Sequence, residues 1–155
     1  MSSTEQSSPG PAVARLPVLL SRLSTAPFDR LAELGLPVED FVIAGSAPFY
    51  LRGLREEISD LDIVARGLAW QRAMELGRPQ PAPYGGTRAI RLVDGRFEVL
   101  DGWFPELFGD VGQLLARAEP IGALRFLTMA DTVRWKRWLD RPKDRADLQR
   151  LARGR

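Results

Sequence analysis

Two short β-rich runs, Phe41–Ala44 and Asp60–Ala65, are separated only by Gly45-Ser46 and about a dozen further residues. The chain there reads as a strand, a Gly-Ser turn, a short helix and a second strand. Side chains alternate across a strand, so Asp60 and Asp62 leave the second run by one face while Leu61 and Ile63 leave by the other. One side of the sheet is thereby committed to a core and the other to two carboxylates.

Carboxylates held this close repel unless something positive sits between them, and a divalent metal is the natural candidate. Composition narrows the choice of metal: the chain has no cysteine and no histidine, so any ion must sit on oxygen, which suits Mg2+ or Mn2+. Gly45 permits a tight turn with close backbone approach. Ser46 stands where it would cap the following helix, leaving free amides and a positive dipole end for an anion, most simply a phosphate. Alone, an Asp-x-Asp is often a solvated strand end and a Gly-Ser turn is only a turn. Together, a phosphate pocket and a carboxylate metal site are the minimum apparatus for phosphoryl or nucleotidyl transfer.

At 155 residues the chain fits one domain. Residues 1–12 (MSSTEQSSPGPA) have little to bury and read as a flexible tail, with a single domain over 13–155. Its parts are a helical lead over 13–36 broken at Ala26-Pro27, an α/β core over 38–104 and helices over 105–153. Trp70 to Leu76 reads as a helix, and Gly77 to Gly86 as an irregular surface loop. Arg88 to Val93 and Arg96 to Leu100 flank Asp94-Gly95, a hairpin signal. Helices are expected over Val111 to Arg117, Thr128 to Leu139 and Pro142 to Ala152, with Thr128 and Asp131 resembling a capping box.

The 22 basic residues include only two lysines, Lys136 and Lys143, so the pI near 9.5 is an arginine effect. A net charge of +2 does not make a nucleic-acid stripe. Among the arginines, Arg52, Arg55 and Arg96 are candidates to meet an anionic ligand. No apolar run approaches a membrane span, so a cytoplasmic protein without membrane contact is expected.

Ile43-Ala-Gly45-Ser46, Leu51-Arg-Gly-Leu54 and Ile58-Ser-Asp60-Leu-Asp62-Ile-Val64 together resemble the signature of the nucleotidyltransferase-fold (polymerase-beta) superfamily. The likeness is to its small bacterial members, which include the toxins of abortive-infection toxin-antitoxin systems. Trp135-Lys136 followed by Arg141-Pro-Lys143-Asp144-Arg145-Ala-Asp147-Leu148 is similar to a helical K...R.KD..DL motif of those proteins. The resemblance spans about Asp40 to Leu151. It implies an α/β (α+β) fold, a small mixed sheet carrying helices with a helical C-terminal segment. It also implies transfer of an NMP from an NTP, with Mg2+ (or Mn2+), to an acceptor such as a tRNA, a protein or a small molecule. A third acid on a neighbouring antiparallel strand would complete the metal site. Glu98, inside its strand, is preferred to Asp101 at the strand end, which lies on the opposite face. The resemblance further places Lys136 at the nucleotide phosphates with Asp144 nearby, alongside Gly45 and Ser46, and allows a cognate antitoxin as partner. A catalytically inactive nucleotide- or partner-binding module of the same fold is the alternative.

Overall fold

The computed structural model describes residues 16–84 and 86–154; the expected tail over 1–12 lies outside them. Among the described residues seven strands form one mixed sheet. In chain order they are β1 (Phe41–Ile43), β2 (Leu61–Ala65), β3 (Gln80–Pro81), β4 (Arg88–Leu92), β5 (Phe97–Leu100), β6 (Glu119–Ile121) and β7 (Leu124–Phe126). Across the sheet they run β3-β4-β5-β2-β1-β7-β6. The helices are α1 (Leu16–Arg22), α2 (Ala47–Leu51), α3 (Gly67–Leu76), α4 (Pro105–Phe108), α5 (Val111–Arg117), α6 (Met129–Leu139) and α7 (Pro142–Arg153). The class is the α+β architecture expected, a mixed sheet with helices packed on it.

Both sheet faces are covered, and strand alternation decides which residues face which layer. Phe41, Ile43, Leu61, Ile63, Phe97 and Val99 point to one side, where they join Leu19, Phe28, Leu31 and Leu34 of the N-terminal lead and Trp70 of α3. The intervening residues Val42, Ala44, Val64 and Leu100 point to the other side, against Leu114 and Leu115 of α5, Trp103 and Trp135. A third cluster, centred on Phe49, Leu54 and Leu151, joins α2 to α6 and α7. Asp62 and Glu98 belong to the second face by the same alternation, and they line a cavity together with Trp135 and Leu139 of α6 and Lys143 of α7.

The lead forms α1 and then a 3-10 helix over Phe28–Leu34, closed by Gly35 in the left-handed region. Helix α3 begins three residues before the expected Trp70 and ends at Leu76 as expected. The hairpin turns on Asp94 and Gly95, both with positive φ, and Arg96 N donates to Val93 O at 3.1 Å. Val93 also has positive φ, 54, so the left-handed stretch begins one residue before the Asp94-Gly95 pair whose φ signs match strand twist. Thr128 caps α6, accepting from Asp131 N, but only half of the capping box forms. The Asp131 carboxylate instead accepts from Arg117 Nε at 2.7 Å, tying α5 to α6.

Three expectations are corrected. The loop over 77–86 is not wholly irregular, because Gln80 and Pro81 pair antiparallel with β4; a proline is tolerated there because β3 is an edge strand. The C-terminal part is not purely helical either, since β6 and β7 form an antiparallel hairpin whose Phe126 pairs in parallel with Ile43 of β1. The strand carrying Glu98 runs parallel to β2, not antiparallel; its antiparallel partner is β4. Among the described residues no helix is long and apolar enough to cross a membrane.

Candidate functional site

The parallel pairing of β2 and β5 sets Asp62 directly beside Glu98. Both carboxylates line a cavity of about 700 Å3, and Asp60, one residue before β2, lines it too. Asp101 does not. It is held at the end of β5 by Arg88, whose backbone N and Nε donate to it at 2.7 and 2.8 Å. Glu98 is thus the acid that joins the aspartates, although it already accepts from Arg91 Nε of β4 at 3.2 Å.

Asp62 carries the electrostatic tension of the site. Burial, and then the neighbouring charges of Asp60 and Glu98, push its pKa from 3.8 up to about 7, against the opposing pull of Arg141 and Lys143. Gly45 makes its position available. With φ +66 this residue occupies the left-handed region, and a Cβ there would stand 2.3 Å from Asp62 Oδ2. Gly45 therefore serves the carboxylate, leaving room for it where any other residue would displace it.

Ser46 lines the cavity and occupies the N-cap position of α2, but its side chain caps nothing. Its Oγ instead accepts from Lys136 Nζ at 3.0 Å. Helix α2 is five residues long with a proline in its first turn, so it presents few amides and a small dipole to an anion. The expected capping role is corrected accordingly.

Lys136 does not reach the cavity wall. It is 1% exposed and donates to Asp147 Oδ2 at 2.8 Å, with Asp144 Oδ1 at 3.8 Å. Burial lowers its pKa, and the hydrogen bond and charge of Asp147, with the charge of Asp144, pull the other way. Asp144, fully buried, grips the guanidinium of Arg141 through Nε at 2.7 Å and Nη2 at 3.0 Å. This two-pronged grip fixes Arg141 in the wall. Lys136 and Asp144 thus act behind the site, one holding Ser46 and the other holding Arg141.

The cations that line the cavity are Arg55, Arg141 and Lys143, and Glu57 joins the carboxylates there. Of the other two candidate arginines, Arg52 pairs with Glu119. Arg96 lines a second cavity of about 490 Å3 that shares Ile58, Ser59 and Asp60 with the first. An aromatic wall of Tyr84, Trp103, Phe104 and Trp135 completes the first cavity. From the sequence the tryptophans read as core or rim packing, because the rings come from three separate segments that only the fold brings together.

A cavity lined by carboxylates, cations and aromatic rings suits a polyanion attached to a planar group, bridged to the acids by a cation. Among the described residues no three carboxylates already converge closely enough to hold an ion. The donor set nevertheless fits a hard divalent cation: all donors are oxygen, and Asp62 lacks a positive partner strong enough to keep its ordinary pKa. No protein-family model matches this chain, and neither a curated protein nor a solved structure matches it.

Proposed function

We propose that the protein transfers a nucleoside monophosphate from a nucleoside triphosphate to an acceptor hydroxyl or phosphate, with Mg2+ or Mn2+ as cofactor. The observation that carries this reading is the placing of Asp62 beside Glu98 on adjacent strands, in one cavity with Arg55, Arg141 and Lys143. The Gly45-Ser46 and Asp60-Leu-Asp62 motifs, which resemble the nucleotidyltransferase-fold signature, support it further. Asp60, Asp62 and Glu98 would hold the metal, which when bound supplies charge neutralisation at the phosphate oxygens. Arg141 and Lys143 bind the triphosphate, with Arg141 kept in one orientation by Asp144. Glu98 accepts the proton of the attacking acceptor oxygen as that oxygen bonds to the α-phosphorus. The bond from the α-phosphorus to the bridging oxygen breaks, and pyrophosphate leaves with the electron pair.

A second reading, a nucleotide- or partner-binding module without turnover, is favoured by the pairing of Glu98 with Arg91. The two are separated by incubating the protein with magnesium and α-labelled NTPs in cell extract. Label fixed to an acceptor by wild type but not by Asp62→Asn supports transfer. NTP binding with no transfer to any acceptor supports the nucleotide-binding module, and absence of NTP binding overturns both transfer and nucleotide binding.

A further inference from the structure

Helix α2 ends in a glycine cap. Gly53, with φ +76, donates its N–H to Tyr50 O at 3.1 Å, and Leu54 N donates to Phe49 O at 2.9 Å, the paired bonds of a Schellman motif. From Arg55 the chain runs without regular structure to Asp60, and β2 begins at Leu61. Arg55, Glu57, Ile58, Ser59 and Asp60 of this stretch line the first cavity. Among the described residues no backbone N–H from Arg55 to Asp60 donates to a backbone carbonyl. The far end of the stretch is secured by Leu61 N, which donates to Arg96 O at 2.8 Å, and its middle by Ile58, which packs against the core.

Arginine side chains secure the near end. Arg22, the last residue of α1, donates through Nη1 to Tyr50 O at 2.9 Å and to Arg55 O at 3.0 Å. An Nη nitrogen carries two N–H groups, so this one atom serves both carbonyls and joins the last turn of α2 to the first residue of the stretch. The guanidinium carbon of Arg22 also lies 4.7 Å from the centre of the Tyr50 ring, which favours this placing of the charge. Arg150 of α7 donates to the intervening carbonyl, Leu54 O, at 2.7 Å. The guanidinium of Arg55 meets Asp147, Nε to Oδ1 at 3.7 Å. Arg55 is thus held by its backbone and by its charged end, while Arg22 does not itself line the cavity.

We infer that Arg22 is a positioning residue for polyanion binding and acts through Arg55, by fixing the backbone from which that side chain joins the cavity wall. This rests on the proposed function in one respect, that the cavity takes a triphosphate. An arginine that only joined α1 to α2 would add stability and leave affinity alone.

The test is calorimetric titration of inorganic tripolyphosphate, ATP, GTP, CTP and UTP in magnesium, with variants compared on whichever of these binds wild type most tightly. The variants are Arg22→Met, Arg55→Met, the two together, and Arg72→Met. Arg72 is the control, because its Nε makes another arginine-to-carbonyl bond, to Leu34 O at 3.2 Å, and it does not line the cavity. Arg55→Met weakens binding at least fivefold and Arg22→Met at least threefold, whereas Arg72→Met binds as wild type does. The double variant binds within twofold of Arg55→Met, since Arg22 then has no cation left to position. Wild-type affinity in Arg22→Met, losses that multiply in the double variant, or an equal loss in Arg72→Met overturns the inference. Wild-type affinity in Arg55→Met also overturns it and leaves the phosphate site standing. Should Arg22→Met not fold, Arg22→Lys, which keeps a charged donor of shorter reach, enters the same cycle with the same expected non-additivity. If wild type binds neither tripolyphosphate nor any NTP, the proposed function falls and the inference with it.

Discussion

Lys136→Met removes the one positive charge in a buried network and leaves its partners in place. Asp147, 4% exposed, would keep only Arg55, at 3.7 Å, and Ser46 would lose its Lys136 donor. Breaking a buried ion pair by deleting one partner costs about 3–5 kcal/mol, because the survivor's charge stays desolvated. Arg55 offsets part of that, so a loss of about 3 kcal/mol is expected, which for a domain of this size lowers the melting midpoint by roughly 6–12 °C. Removing both charges behaves differently. Burial acts first on Lys136, lowering its pKa against the pull of Asp147 and Asp144, so the ammonium gains little from its position. Lys136→Met with Asp147→Leu should therefore sit within about 1 kcal/mol of wild type, since apolar replacement of a whole buried pair is often neutral or stabilising. Urea melts of wild type, both single variants and the double variant close the thermodynamic cycle. A Lys136→Met loss below about 1 kcal/mol, or a double variant as unstable as the sum of the singles, would refute this account.

The remaining predictions concern the cavity itself. In metal-free buffer the stability linked to Asp62 is fully present below its unfolded pKa of 3.8, because the folded state holds the proton more tightly. It declines as pH rises and is lost above about 7, a difference of about 4 kcal/mol. Asp62→Asn should lack this slope in denaturant melts between pH 4 and 8, and an unchanged slope would show the group to be solvated. Gly45→Ala should cost at least about 1–2 kcal/mol from left-handed strain and abolish binding of magnesium with NTP; retention of wild-type affinity would show that Asp62 moves aside freely. Magnesium at 100 times its dissociation constant should stabilise wild type by about 2.7 kcal/mol, read as a rise in melting midpoint, and leave Asp62→Ala unmoved. The same rise in both would place the ion elsewhere.

Local signals predicted the elements nearest the acids, and non-local ones decided the rest. The alternation through Leu61-Asp62-Ile63, the turn at Asp94-Gly95 and the N-cap at Thr128 each depend on neighbours within a few residues and each formed, the Thr128 capping box only by half. Strands β3 and β6 were hidden because each is only two or three residues long and contains a proline, Pro81 or Pro120. Such strands are supported by their partner and not by their own composition. The fate of Lys136 was equally hidden. Its spacing on α6 shows only that it lies beside Trp135, while its burial depends on where α7 brings Asp147. The aromatic wall draws on residues near positions 84, 104 and 135, whose meeting is a property of the fold.

The charges that line the cavity come from different stretches of the polypeptide: the acids lie between Glu57 and Glu98, and two of the three cations, Arg141 and Lys143, lie on or beside α7. During synthesis the acidic strands leave the ribosome first, destined for the middle of the sheet, with Arg91 available to Glu98 but without Arg141 and Lys143. The charge that balances them arrives later, because Asp144 of α7 must be in place before Arg141 is aimed. The electrostatic balance of the cavity is thus set by a helix translated after the sheet that carries the acids.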